Sequence, residues 1–224
     1  MHFKVEARKV AVPALAALSL FLLTAAPGSA AAVSDPPNDF LATFSGPHNG
    51  DLDVLSANAT INGSNVDFTA TLNGTVGQTP GAVYVFGVNR GMGTPKFANI
   101  GEGGVIFDST FVIKTAGASV VNDLISKTTT PISDVTLSGS TISGVVPISA
   151  LPSEGFSSNN YQFNLWPESG AANPGNTEIS DFAPNNRDAR VSATPEPTSI
   201  TLLGMGAFGV FAVIRRRKLT SRQS

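Results

Sequence analysis

Short apolar stretches separated by turn residues fill the middle of the chain. The clearest is Val66–Leu72, in which every second residue is apolar, as in a strand with one buried face. Phe68 is predicted to point inward and Thr69 outward. Asn62-Gly63, just before this strand, is a strong hairpin signal because both residue types tolerate positive φ. A preceding strand is predicted to begin within Leu52–Ile61.

Other stretches of the same kind predict further strands. Val83–Val88 is a continuous apolar run, typical of a strand buried on both faces, and Tyr161–Trp166 alternates. The remaining predicted strands are Val105–Phe107, Phe111–Ile113, Val120–Ser126, Val135–Leu137, Ile142–Ile148 and Glu178–Phe182. Two alternatives stay open: one bent strand around Asp108, and one helical turn at Val120–Ser126. Asn89–Pro95 is predicted to be a Gly-rich loop.

The pattern as a whole predicts an all-β domain. Eight or nine short strands are separated by Gly, Asn, Ser and Pro turns, and no part of the middle segment has a helical period. Such a succession favours an antiparallel β-sandwich, with a jelly-roll-like arrangement as a variant.

Residues 1–32 have the pattern of a secretory signal peptide. Three cations near the start precede the apolar stretch Val10–Ala26, and small residues follow it. Cleavage after Ala30 or after Ala32 fits this pattern. The alternative is an uncleaved N-terminal anchor.

The C-terminal tail, residues 195–224, has three parts in a fixed order. These are Pro195-Glu196-Pro197, the uncharged run Ile200–Ile214, and the basic patch Arg215-Arg216-Arg217-Lys218. As a transmembrane helix the run would rise about 22 Å, which is short for a bilayer core of about 30 Å. Cytoplasmic loops are rich in Lys and Arg, so the patch is predicted inside and everything before Ile200 outside. An ordinary single-span anchor is the alternative.

This tail resembles the PEP-CTERM protein-sorting domain. The matching positions are Pro195-Glu196-Pro197, the helix start Leu202-Leu203-Gly204, and the basic patch Arg215–Lys218. The resemblance implies recognition by an exosortase, a membrane enzyme of Gram-negative bacteria that also make exopolysaccharide. It therefore implies export, transient anchoring in the inner membrane, and a final place at the cell surface or outside the cell, in contact with exopolysaccharide.

Composition limits what the exported segment, residues 33–194, can do. The segment is long enough for one domain with its own core. It has no cysteine, so disulfides cannot stabilise it. Six cations and fourteen carboxylates give it a formal net charge of −8. That sign excludes nucleic acid as a partner and suits divalent cations.

Catalytic motifs are missing from the segment, which predicts a protein that is not an enzyme. Its one histidine, His48, lies in a predicted turn, and there is no cysteine nucleophile. Neither a Gly-x-Ser-x-Gly elbow nor a His-Glu-x-x-His helix is present.

A group of acidic and amide residues near the first strand is the one constellation with chemical content. It comprises Asp35, Asn38, Asp39, Asp51 and Asp53. Calcium prefers six to eight oxygen ligands from carboxylates, amides and carbonyls, so these residues predict a calcium site. The alternative is turn chemistry, in which Asp and Asn bond to nearby backbone.

The same region resembles, more faintly, DOMON-type and family 9 carbohydrate-binding sandwiches. The resemblance is carried by Asp35-Pro36 and Asp39, by Asp51-Leu52, and by Val66–Leu72. It implies a sugar-binding or a haem-binding module. Haem needs an axial Met or His, for which only Met92 and His48 are available, so haem is discounted. The candidate sugar-binding aromatics are Trp166, Tyr84 and Tyr161, with burial of Trp166 in the core as the alternative.

Overall fold

The computed structural model describes residues 32–170 and 176–193. Nearly all of the predicted signal peptide lies outside the described residues, as do the Pro-Glu-Pro segment, the run Ile200–Ile214 and the basic patch. Within the described part, no helix has the length and apolar character needed to cross a membrane.

The described residues form fourteen strands and four short 3-10 helices. The strands are β1 Val33–Ser34, β2 Val54–Asn62, β3 Asn65–Leu72, β4 Val83–Asn89, β5 Thr94–Phe97, β6 Glu102–Phe107, β7 Ser109–Lys114, β8 Ser119–Asp123, β9 Thr128–Ile132, β10 Val135–Ser138, β11 Thr141–Pro147, β12 Gln162–Glu168, β13 Ala189–Arg190 and β14 Ser192–Ala193. The 3-10 helices are Gly50–Leu52, Ala98–Ile100, Ile148–Ala150 and Ser158–Asn160.

Two six-stranded sheets make up the body of the domain. The first has the order β1-β2-β3-β11-β10, with β14 also paired to β2, and the second has the order β13-β12-β4-β7-β8-β9. Neighbouring strands are antiparallel except for β14, which runs parallel to β2. Strands β5 and β6 form a separate hairpin.

The main core lies between the two sheets. Phe68 of β3 packs against Phe86 of β4 and Phe111 of β7, with ring centroids 5.0 and 5.5 Å apart. Because these rings come from opposite sheets, the fold is an antiparallel β-sandwich, and the predicted fold class is confirmed at this level.

The β2–β3 hairpin shows the predicted faces. Phe68 is fully buried and Thr69 is exposed, so the alternation in this strand is read in the correct register. The turn lies one residue later than predicted, since Asn62 pairs with Asn65 and the two turn residues are Gly63 and Ser64. Gly63 has φ +59°, a conformation that glycine adopts without steric cost.

A second, smaller core covers the outer face of the second sheet. Val85 of β4 and Trp166 of β12 lie under Phe97, Phe107 and Phe182. The first two of these covering residues belong to the β5–β6 hairpin, which the sequence pattern placed partly in a loop. The hairpin explains why both faces of the second sheet are apolar.

Several strand predictions need correction. Val105–Phe107 and Phe111–Ile113 lie in separate strands that pair with different neighbours, so they are not one bent strand. Glu178–Phe182 makes only an isolated bridge, between Ile179 and Glu168, and no strand. Strand β9 was not predicted, because Thr128–Thr130 carry no apolar alternation.

The sandwich has two ends, which we call the upper and the lower end. The upper end holds the final residues of β2, β4, β8 and β11, namely Asn62, Asn89, Asp123 and Pro147. The lower end holds Val54, Leu72, Val83 and Lys114. The segment after β11 links the sheets at the upper end, where the Ile148 N–H donates to Ser64 and the Tyr161 hydroxyl donates to Leu151.

Both ends of the described domain lie on one edge of β2. Val33 pairs with Ala57, and Ala193 pairs with Ile61. Because β1 is antiparallel to β2 and β14 is parallel to it, the chain enters β1 from the upper end and leaves β14 toward the upper end.

Candidate calcium site

Carboxylates from three parts of the chain meet at the lower end of the sandwich. Asp35 follows β1, and its N–H donates to the Leu55 carbonyl (3.0 Å), which fixes it beside β2. Asp39 lies four residues further on, and Asp181 comes from the segment before Ala183. Carboxylate oxygens of Asp35, Asp39 and Asp181 all lie within 4.8 Å of one another.

Asp53 adds a fourth, fully buried carboxylate directly before β2. Its Oδ2 accepts from the Asn38 N–H (2.8 Å) and from Asn73 Nδ2 (2.7 Å). Its Oδ1 has no hydrogen-bond donor. The charge of Asp53 contributes to raising the pKa of both Asp35 and Asp181, which places Asp53 within electrostatic reach of the cluster.

Asp181 is also fully buried and is held by backbone amides. Its Oδ2 accepts from the Val54 N–H (2.8 Å) and its Oδ1 from the Phe182 N–H (2.7 Å). These bonds orient the carboxylate before any ligand binds.

Three oxygens of the cluster are buried without a donor: Asp35 Oδ2, Asp39 Oδ1 and Asp53 Oδ1. The ion pairs formed within the described residues all belong to Arg90 at the other end of the domain. The cluster therefore concentrates negative charge that no described cation contacts, and a buried charge without a partner is costly.

Burial and the closeness of other carboxylates raise the pKa of Asp35 and of Asp181. Burial raises the pKa of Asp35, and the nearby carboxylate of Asp181 raises it further. Burial likewise raises the pKa of Asp181, against the hydrogen bond from Val54 that lowers it. A site of this kind holds either an extra proton or a cation.

The structure brings together only part of the predicted calcium set. Asp35, Asp39 and Asp53 converge, while Asn38 contributes its backbone N–H. Asp51 does not join them, because its oxygens accept from the Thr79 N–H (2.6 Å) and Thr79 Oγ1 (2.7 Å). Asp51 is thus satisfied by a residue 28 positions further along the chain, and not by the backbone of its own turn. Asp181 was missed, since it lies far along the chain and no local pattern connects it to the cluster.

The predicted sugar-binding aromatics are all buried, so the exposure on which that prediction depended is wrong. Tyr84 and Tyr161 lie in the main core and Trp166 in the smaller one. The Tyr161 hydroxyl donates to the Leu151 carbonyl (2.9 Å), and Trp166 Nε1 donates to Glu168 Oε1 (3.0 Å). None of the three rings presents a face on which a sugar could stack.

The two possible haem ligands lie at opposite ends of the sandwich. His48 is an exposed residue of the lower end, where its ring stacks on Phe40 with centroids 4.4 Å apart. Met92 follows β4 at the upper end. They cannot bind the same iron.

The C-terminal tail begins two residues after β14. Comparison of the chain with known protein families gives a match in this tail. Residues 193–218 match the PEP-CTERM protein-sorting motif. The PEP-CTERM motif covers Pro195-Glu196-Pro197, the apolar run and the basic patch, and it marks an exported protein that is transiently anchored in the membrane and processed by an exosortase. No curated protein is significantly similar to the chain. The resemblance to DOMON-type and family 9 sandwiches gains no support from either comparison.

Proposed function

We propose that the sandwich is a non-enzymatic, calcium-binding module of the cell surface, which the PEP-CTERM tail delivers there. The observation that carries the proposal is the convergence of carboxylate oxygens of Asp35, Asp39 and Asp181 within 4.8 Å of one another, with Asp35 Oδ2 and Asp39 Oδ1 buried without a donor. The charge of Asp53, whose Oδ1 also has no donor, acts on the same group. A cation bound there would be coordinated by cluster oxygens that have no hydrogen-bond donor.

Calcium is the cation that best fits these donors. All four side chains are carboxylates, and hard oxygen ligands select calcium, magnesium or manganese over softer metals. The ligands lie on irregular loops, which suit the variable coordination of calcium better than the strict octahedron of magnesium. Extracellular calcium modules bind with dissociation constants of about 10⁻⁴ to 10⁻³ M.

The bound ion would act as a cross-link. It would join the segment around Asp35 and Asp39 to the start of β2 and to the loop that carries Asp181. A cysteine-free exported domain has no disulfide for this purpose. Calcium thus stabilises the lower end after export and plays no catalytic part.

The site of action that we infer is in or beside exopolysaccharide. The support is the PEP-CTERM tail together with the acidic character of the exported segment. The burial of Trp166, Tyr84 and Tyr161 gives no support to the alternative of a sugar-binding module. Fractionation of the cell envelope should recover the mature protein with the polysaccharide, and recovery with the inner membrane alone would contradict this placement.

Thermal unfolding with calcium and with a chelator tests the calcium site. At about one hundred times its dissociation constant a ligand adds about 2.7 kcal/mol to the stability, and 1 kcal/mol corresponds to about 2–4 °C at this size. We expect Tm to rise by several degrees with calcium. Asp39→Ala should abolish the rise, whereas Asp134→Ala, at an exposed carboxylate outside the cluster, should leave it intact. Equal melting curves of the parent protein would overturn the proposal.

A further inference from the structure

Three large apolar side chains are exposed at the upper end of the sandwich. Among the described residues, the exposed large hydrophobics are Met92 (53%), Leu124 (40%) and Ile125 (41%). Met92 lies in the loop after β4, and the other two lie in the turn between β8 and β9. We refer to these three residues as the apolar tip. Grouped exposed apolar side chains mark contact sites for proteins or membranes.

The apolar tip is held in place by buried charges. The N–H groups of Met92 and Leu124 donate to the carboxylate and the carbonyl of Asp108, at 2.9 and 3.0 Å. Asp108 forms an ion pair with Arg90 (2.8 Å), and both side chains are fully buried. The loop that carries Met92 and the turn that carries Leu124 are therefore both anchored to Asp108, which fixes their backbones relative to each other.

The third tip residue is anchored by the same network. The Ile125 N–H donates to Asp123 Oδ1 (2.9 Å), and Asp123 Oδ2 pairs with Arg90 Nη1 (3.0 Å). The apolar tip is therefore built on a buried cation with two carboxylate partners.

The sorting tail leaves the domain at this same end. Strand β14 points toward the upper end and finishes at Ala193, and the apolar run begins at Ile200. The seven steps of chain from Ala193 to Ile200 span at most about 25 Å, at about 3.3–3.6 Å per residue. While the tail is anchored, the upper end is thus kept close to the membrane surface. The chain also enters β1 from this end.

The distribution of charge favours the same orientation. Lys127, beside the apolar tip, and Arg190, at the end of β13, are exposed cations of the upper end. The buried carboxylates of the upper end, Asp108 and Asp123, are paired with Arg90. The lower end has the exposed cation Lys114, but the four carboxylates of the calcium cluster outnumber it. An anionic lipid surface therefore favours the upper end over the lower end.

We propose that the apolar tip rests in the headgroup region of the membrane while the tail is anchored, so that the domain stands with its upper end down. The tip adds a second, weaker contact to the anchoring tail and fixes the orientation in which the Pro-Glu-Pro segment is presented. The calcium cluster then faces away from the lipid. This orientation does not depend on whether calcium binds.

Site-specific fluorescence in vesicles tests the contact. The chain has no cysteine, so a single introduced cysteine can carry an environment-sensitive fluorophore. The full chain, labelled at Leu124→Cys or at Met92→Cys, is reconstituted into vesicles of phosphatidylethanolamine and phosphatidylglycerol. Matched controls are labels at Thr75→Cys and Ala116→Cys, two exposed positions of the lower end. The Tm of each labelled chain, compared with that of the parent, shows that it is folded.

The expected result is a blue-shifted emission at the two tip positions, with several-fold stronger quenching by a nitroxide on the lipid headgroup than at the control positions. Equal quenching at tip and control positions in folded chains would overturn the proposal. Shielding of the tip labels that requires added sorting enzyme, and is absent in lipid alone, would also overturn it and would assign the apolar tip to a protein contact.

Discussion

Arg90 lies in the interior with two carboxylate partners, whereas the carboxylates around Asp35 lie together with no described cation in contact. Arg90 donates to Asp108 and Asp123 through its guanidinium, and also to the Pro152 carbonyl (3.0 Å). The hydrogen bond from Arg90 holds the pKa of Asp123 well below its usual range. At the scale of the residue, buried carboxylates therefore have two outcomes. Those at the upper end pair with a cation, whereas those at the lower end keep oxygens without a hydrogen-bond donor.

Removing the cation from the upper network should be strongly destabilising. Arg90→Met leaves two buried carboxylates without a partner, and breaking a buried pair in this way costs about 3–5 kcal/mol. The control Arg190→Met removes an exposed cation of the same type and should change stability by about 0.5 kcal/mol or less. Urea unfolding of both variants makes the comparison. Similar midpoints for the two would show that the Arg90 network contributes little.

Neutralising Asp35 should have opposite effects with and without calcium. The raised pKa means that the metal-free folded state keeps a proton that the unfolded state loses above about pH 4. Metal-free stability should therefore fall as pH rises from about 4 through the raised pKa. Asp35→Asn reduces this fall, since the raised pKa of Asp181 remains, and it raises Tm in chelator at pH 8 but lowers Tm relative to the parent in calcium.

The measurement for Asp35→Asn is a set of melting curves at several pH values, with calcium and with chelator. A higher Tm in chelator without any calcium effect in the parent would identify a proton-sharing carboxyl cluster and not a metal site. A lower Tm in both conditions would show that the pKa of Asp35 is not governed by charge crowding.

Sequence reasoning found three of the four clustered carboxylates because they lie close together before the first long strand. It could not find Asp181, which reaches the site only through the folding of the last loop against β2. It wrongly included Asp51, whose neighbour Thr79 satisfies it through two hydrogen bonds. Proximity along the chain thus indicated the region, but the hydrogen bonds of the folded chain decide which oxygens are free.

At the scale of the element, the strands of the sandwich core were predictable, including β4 with its two covered faces, but the hairpin that covers the second face was not. In β3 the alternation of apolar and polar residues gives the faces directly. In β12, Phe163 and Leu165 face the main core while Trp166 faces the smaller one. The position of Trp166 depends on the β5–β6 hairpin, whose Gly-rich and Pro-containing sequence has no strand period.

The register of β3 can be tested by two adjacent substitutions. Phe68→Ala removes a fully buried ring that contacts Phe86 and Phe111, and such a loss costs about 3–5 kcal/mol. Thr69→Ser changes an exposed side chain and should cost less than about 0.5 kcal/mol. Guanidinium unfolding measures both. If Thr69→Ser cost more stability than Phe68→Ala, the buried and exposed faces of β3 would be the reverse of those described.

At the scale of the whole molecule, the PEP-CTERM motif assigns the C-terminal tail to sorting, and the sandwich before it is the cargo. The tail was predictable because its charge and apolar length follow a known targeting pattern, whereas the N-terminal signal peptide stays a prediction. The edge position of β1 and β14 was not predictable, since a two-residue strand is too short to show any period. Both strands pair with the edge of β2 that β3 leaves free.

Processing of the tail should leave the folded domain intact. The short apolar run and the PEP-CTERM match lead us to expect that the surface protein has lost Ile200–Ser224. Intact-mass analysis of protein from cells with the sorting enzyme checks this, and protein from cells without it is the control. A mature protein that retains Arg215–Lys218 would contradict the expectation. The released protein should give a circular dichroism spectrum dominated by strand.

Because β1 and β14 pair with the same edge of β2, the two chain ends of the described domain lie close together. Val33 and Ala193 lie opposite positions four residues apart on β2, a gap of about 13 Å at about 3.3 Å per residue. A short flexible linker could join them, and new termini could be opened at the exposed lower-end turn around Gly117. Such a permuted chain, fused to the same tail, would keep every strand pairing and yet stand on the membrane upside down, with its carboxylate cluster toward the lipid.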